Sequence, residues 1–156
     1  MIFYLEFLTS ENDTHLAECF QQCVNLMHVD SLLVLECYTS TRTSLTSSQT
    51  WTRNYIYETA PLQLPSLDFI LENASRVHLQ QVQILEKTKE AQQTVVAWSQ
   101  RFQNRMKILH ESLQIPDSVK RTWEFYLGHL AACLGAGTMA CYQVILTPSS
   151  RERIDE

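Results

Sequence analysis

Glu36 and Tyr38 lie one strand period apart at the end of the apolar run "SLLVLECYT", residues 31–39. A carboxylate and a phenol there are candidates for a ligand pocket, because α/β proteins bind ligands beyond the carboxyl ends of parallel strands. Trp51, Tyr55 and Tyr57 follow in "WTRNYIYE"; they either line a substrate entrance or pack at a loop end. Cys19 and Cys23 are four apart, on one face of an expected helix. No further ligand stands at zinc spacing, so with Cys37, Cys133 and Cys141 they read as reduced, buried thiols of an intracellular, cytoplasmic protein. The histidines at 15, 28, 78, 110 and 129 show no pairing at ligand spacing.

Composition narrows the chemistry. The net charge of -5 gives no reason to expect nucleic acid or a global attraction to an anionic membrane. Most bases after residue 100 lie at Arg101, Arg105, Lys107, Lys120 and Arg121; the group fits a solvated helix face or a phosphate contact. The chain has only three glycines, at 128, 135 and 137, and contains no GxGxxG, no GxxxxGK[ST] and no nucleophile elbow. A loop that cradles a nucleotide needs glycine so that its backbone can approach the ligand, so no cofactor loop is legible. The N-terminus lacks a basic n-region and a cleavage site, and no apolar run reaches the roughly 18 residues of a membrane span.

The elements that must position these residues follow from periodicity. With 156 residues, 45% hydrophobic and 19% charged, the chain fits one globular domain over 1–147 and a polar tail over 148–156. "IFYLEFL" is an expected buried strand. Leu16, Cys19, Phe20, Cys23 and Met27 recur at helical spacing behind the cap-like "SENDT". Residues 31–39 form the second strand, apolar enough for a sheet covered on both faces, and a Ser/Thr-rich loop follows over 39–50. Pro65 and Ser66 open a helix over 64–75, and a third strand spans 77–87, interrupted by paired glutamines. Val95, Trp98, Phe102, Met106, Leu109 and Leu113 repeat at three and four, which predicts one core-facing stripe on a helix over 88–113. A second long helix is expected over 115–140, with Pro116 and Asp117 in its first turn, and a last strand over 141–147. Strands separated by helices argue α/β layering.

Three stretches, "LPSLDFI", "TVVAWSQRF" and "WEFYLGHLAACLGAGTMACYQVILT", occur in this order. Together they resemble the C-terminal part of the cyclopropane-fatty-acyl-phospholipid synthase family, which includes mycolic acid and coclaurine-type methyltransferases. The carrying positions are Leu64–Ser66, Thr94–Phe102, Tyr126–Leu127 and Gln143–Val144. The resemblance implies a class I S-adenosylmethionine-dependent methyltransferase: a Rossmann-like sheet of order 3-2-1-4-5-7-6, with the last strand antiparallel and a helical cap over the substrate pocket. It aligns the chain with strands 4-5-7-6 and places the cofactor loop of strand 1 before Met1. Trp98 and Phe102 become the core face of the cap helix. S-adenosylmethionine is then the cofactor of the full-length family, with no binding expected by this chain alone. A lipid acyl chain or a small amine is the implied substrate, and the implied partner is an N-terminal half or a second copy at the bare strand edge of residues 2–5.

The resemblance also assigns residues. "YLEFLTSENDTHLAECF" looks like the segment in which a glutamate ends the fourth strand, which puts the catalytic role on Glu6. In cyclopropane synthases a glutamate, a histidine and a tyrosine help to hold a bicarbonate base. Here Glu36 stands at the histidine's position and Ala91 at the tyrosine's, and "YETAPLQ" replaces a Phe-Pro-Gly-Gly turn. A second carboxylate cannot donate to bicarbonate as imidazole does unless it is protonated. These departures argue against cyclopropanation and leave methyl transfer to an amine or other nucleophile. Glu36, Tyr38, Tyr55 and Tyr57 are the expected substrate-binding residues. The readings from other classes are a non-catalytic remnant and a partner-binding α/β domain.

Overall fold

A computed structural model describes residues 2–7, 13–41 and 64–149. These form β1 (Ile2–Phe7), α1 (Asp13–Leu26), β2 (Leu32–Ser40), α2 (Leu67–Arg76), β3 (Leu79–Glu86), α3 (Thr88–Leu113), α4 (Asp117–Gly135) and β4 (Met139–Pro148). The strands make one sheet in the order β1-β2-β4-β3. β1 and β2 are parallel, with Ile2 opposite Leu32 and Phe7 opposite Cys37. β3 and β4 are antiparallel, and their register shifts between Gln81 and Gln83, where the sequence carries its paired glutamines. This is the 4-5-7-6 arrangement that the resemblance implies. Among the described strands β1 and β3 are the sheet's edges.

The described residues divide into two compact units. The first contains the sheet with α1 and α2. Leu16 and Phe20 of α1, Ile70 and Ala74 of α2, Leu33 and Leu35 of β2, and Val144 and Leu146 of β4 form its core. Each of these side chains other than Ala74 contributes about 1.5–3 kcal/mol on burial. β2 alternates strictly: Leu33, Leu35, Cys37 and Thr39 are buried, whereas Leu32, Val34, Glu36 and Tyr38 are half-covered. Both faces of the strand are thus at least partly covered, one more completely than the other. α2 starts where Ser66 caps it, its Oγ accepting from the Phe69 N–H at 3.1 Å.

The second unit holds α3 and α4, joined through Gln114, whose φ of 49° turns the chain, and Pro116, which opens α4. So short a connection makes the two helices antiparallel neighbours. Ala91, Val95 and Met106 of α3 are buried, as are Leu127, Cys133 and Leu134 of α4. Gln92 Nε2 donates to the Ala131 carbonyl at 3.4 Å, and a Cβ added to Gly135 would land on that same Nε2. Gly135 is therefore a packing glycine.

Two helix expectations change. α4 stops at Gly135 instead of running to 140, because the Gly137 N–H bonds back to Leu134 and the Thr138 N–H to Cys133 in place of helical partners. Gly137 has a φ of 67°, the left-handed closure that ends a helix, and β4 begins two residues later. Trp98 is exposed and is not a core residue. The stripe holds at Val95 and Met106 and fails at Trp98 and Leu113, which stand in solvent.

Candidate functional site at the ends of β1 and β2

β2 delivers Glu36 and Tyr38 on its half-covered face, at strand period two. The parallel register sets Glu6 of β1 opposite Glu36, on strands that lie about 4.8 Å apart. The carboxyl end of β2 is held in place by a backbone bond from Ser40 N–H to the Pro65 carbonyl at 3.0 Å. That bond brings the turn before α2 beside the strand end. Thr41, the next residue, donates through Oγ1 to the Gly137 carbonyl at 2.7 Å. Register and strand period therefore set Glu6, Glu36 and Tyr38 at the end of one parallel pair. Tyr55 and Tyr57, with Trp51, lie outside the described residues.

The neighbouring thiol is not a nucleophile. Cys37 donates to the Tyr142 carbonyl at 3.7 Å. Burial, then the proximity of Cys141 and of Glu36, pushes its thiol up to about 12, so it stays protonated.

Sequence reasoning missed a cysteine–histidine contact in α4, although the spacing of four was visible. Cys133 Sγ lies 3.4 Å from His129 Nε2. The His129 ring stacks on Phe125, with centroids 5.9 Å apart. Partial burial holds the imidazole below the usual histidine range. Cys133 is buried, so the contact is one of packing. A shallow depression of about 350 Å3 runs along α3, lined by Gln92, Gln93, Val96, Ala97 and Gln100; it offers amides but no ionisable group. Among the described residues no three His, Cys, Asp or Glu side chains could hold a metal ion, and no helix is long and apolar enough to cross a membrane.

The family model described as mycolic acid cyclopropane synthetase matches residues 4–144. No curated protein matches the sequence. Among solved structures, the chain is similar to the cyclopropane synthase MmaA2 from Mycobacterium tuberculosis, at 14% identity and a TM-score of 0.79, over 93% of this chain and 55% of that one. It is similar also to the mycolic acid cyclopropane synthase CmaA1 complexed with SAH and CTAB, at 18% identity and a TM-score of 0.73, again over 93% and 55%. A third likeness is to a putative sarcosine dimethylglycine methyltransferase from Galdieria sulphuraria, at 14% identity and a TM-score of 0.69, over 95% and 52%. At these identities the structures show the fold, and the chain spans about half the length of the proteins it matches.

The described residues do not fit S-adenosylmethionine. Each glycine has another place: Gly135 lies under Gln92, Gly137 closes α4, and Gly128 sits within the helix facing open space. None of them opens a strand-to-helix turn of the kind that cradles such a ligand.

Proposed function

The chain belongs to the mycolic acid cyclopropane synthetase family, and on that premise we propose that it is the acceptor-binding portion of an S-adenosylmethionine-dependent methyltransferase that takes a small or lipid-linked amine. The observation that carries the reading is the matched register of Glu6 and Glu36 at the end of a parallel strand pair, with Tyr38 one period beyond. Two carboxylates at matched positions favour a cationic ligand between them. An ammonium acceptor supplies that cation; an alkene does not.

The roles follow from the chemistry of each group. One carboxylate takes the proton that leaves the ammonium and frees the nitrogen lone pair, while the other stays ionised and holds the positive charge. Tyr38 can donate to or accept from the acceptor's polar part. Glu6 is the base in this scheme, Glu36 the charge partner, and Tyr55 and Tyr57 belong to the acceptor's entrance. The methyl donor is held by residues other than those of this chain, which alone is inactive.

CTAB, bound in the CmaA1 complex, is an alkylammonium amphiphile and suggests the probe. Titration calorimetry with a short alkyltrimethylammonium, below its micelle concentration, should show binding that Glu36→Gln and Glu6→Gln each weaken about tenfold, or ~1.4 kcal/mol. Equal binding by both variants, or equal affinity for an alkyl sulfate of the same length, would remove the acceptor site.

A further inference from the structure

The five cysteines are not alike. Cys37, Cys133 and Cys141 are buried, but Cys19 and Cys23 are half-exposed, which corrects their reading as buried thiols. Both belong to α1 and stand one helical turn apart, on the same face. A hydrogen bond joins the two thiols; burial, then the charge and the hydrogen bond of Cys19, raises the Cys23 thiol above its ordinary value. α1 carries no lysine or arginine, so no cationic side chain of the helix stabilises a thiolate. The pair is protonated, in mutual contact and open to solvent on one side. On the other side Cys23 packs against the core, as does Met27, the next residue in the same row.

The spacing decides what can join the two sulfurs. Cβ atoms four apart on a helix lie about 5–6 Å from each other, whereas a disulfide requires roughly 3.5–4.5 Å. Oxidation to a disulfide would therefore break the turn of α1 whose Leu16 and Phe20 fill the core. Two metal–sulfur bonds in line, each about 2.3 Å, set their sulfurs ~4.6 Å apart, a span that the pair meets with the helix intact. Zinc takes four ligands in a tetrahedron, and among the described residues no third His, Cys, Asp or Glu joins the pair. Calcium and magnesium take oxygen ligands. Thiolates beside a thioether select soft ions, Cu(I) above all, and Cu(I) is stable with two ligands in line.

We propose that Cys19 and Cys23 form a two-coordinate site for a soft monovalent cation, Cu(I), with Ag(I) as its redox-inert analogue. Each thiol gives its proton to solvent as a sulfur–metal bond forms, so two protons leave and nothing is oxidised or reduced. The charge of the cation reverses the preference of Cys23 for its proton. The bound ion ties one turn of α1 to itself and stabilises the folded chain. The site uses none of Glu6, Glu36 and Tyr38, so it stands or falls independently of the acceptor site.

Anaerobic titration of the full chain with Cu(I), against the chromophoric chelator bicinchoninate, tests it. One equivalent should bind, and X-ray absorption should find two sulfur neighbours and no nitrogen or oxygen. Cys19→Ser and Cys23→Ser should each weaken binding by more than about a hundredfold, beyond the cost of losing a merely supporting residue, whereas Cys133→Ser should bind like the parent. Circular dichroism checks that each variant is folded. Alkylation by iodoacetamide, mapped by mass spectrometry, needs no substitution: Cu(I) or Ag(I) should protect Cys19 and Cys23 in the parent and raise its melting temperature, and Zn(II) at the same concentration should do neither. No binding, binding unchanged in a folded Cys19→Ser chain, protection of other cysteines in place of these two, or equal protection by Zn(II) would each overturn the proposal.

Discussion

Glu6 of β1 and Glu36 of β2 are register partners across the parallel strand pair. Glu36→Gln keeps the shape of the side chain and removes its charge, so alkylammonium binding should fall while the melting temperature changes little. A variant that loses both stability and binding would assign Glu36 a structural role. In an enzyme that contains this chain, Glu6→Gln should lower kcat far more than it lowers stability, and an unchanged kcat would remove Glu6 from the chemistry.

The three glycines should respond differently to alanine. At Gly128 an added Cβ meets nothing, so Gly128→Ala should stabilise by about 1 kcal/mol, the ordinary helix-propensity gain. At Gly137, with φ at 67°, alanine is strained and should cost about 1 kcal/mol. At Gly135 the methyl displaces the Gln92 amide from the Ala131 carbonyl. The propensity gain and the lost hydrogen bond, each about 1 kcal/mol, should nearly cancel. In a Gln92→Ala background the opposition is gone, and Gly135→Ala should then stabilise. Urea denaturation of the four proteins in this cycle measures the coupling.

Acid should weaken the helical hairpin through His129. Burial lowers its proton affinity in the folded state, so the unfolded chain binds more protons in the window between the folded value and the ordinary value of about 6.5. Stability is full above that ordinary value and falls as the pH drops through the window. Thermal melts at pH 7.5 and pH 5 should show a loss that His129→Asn reduces. An identical pH dependence in the variant would place the titration elsewhere.

Among the described strands β1 is the end of the order and pairs on one side, with β2. Its sequence, IFYLEF, carries no lysine or proline, the residues that usually protect an edge from further pairing. The isolated chain should self-associate through this strand, or take up a complementary chain there. Light scattering at tens of micromolar should detect large species that Phe3→Lys diminishes. A stable monomer with no change in the variant would contradict the edge assignment.

The candidate site was partly legible in the sequence. Glu36 and Tyr38 followed from the rule that parallel strands present ligand residues at their carboxyl ends, which needs only the strand's period and polarity. Glu6 followed from family resemblance; nothing in the composition of "YLEFL" distinguishes it. Cys133–His129 and Gln92–Gly135 were not read, because a spacing of four recurs throughout any helix, and a contact across two helices depends on their rotation about each other.

What the sequence determined alone is local. The span of α3, residues 88–113, and the Ser66 cap of α2 follow from 3.6-residue periodicity and from a side chain that satisfies an N–H three residues on. The tertiary structure decided the rest. That β4, the last strand, lies between β2 and β3 joins segments more than 50 residues apart, whose pairing depends on which faces are left to bury. That α4 ends at Gly135 was settled by two backbone bonds, from Gly137 to Leu134 and from Thr138 to Cys133, that outcompete a helical pattern running on toward Cys141. That Val95 is wholly buried while Trp98 stands in solvent reflects a limit of periodicity: it gives the direction of an apolar stripe, but only the packed neighbours set its width.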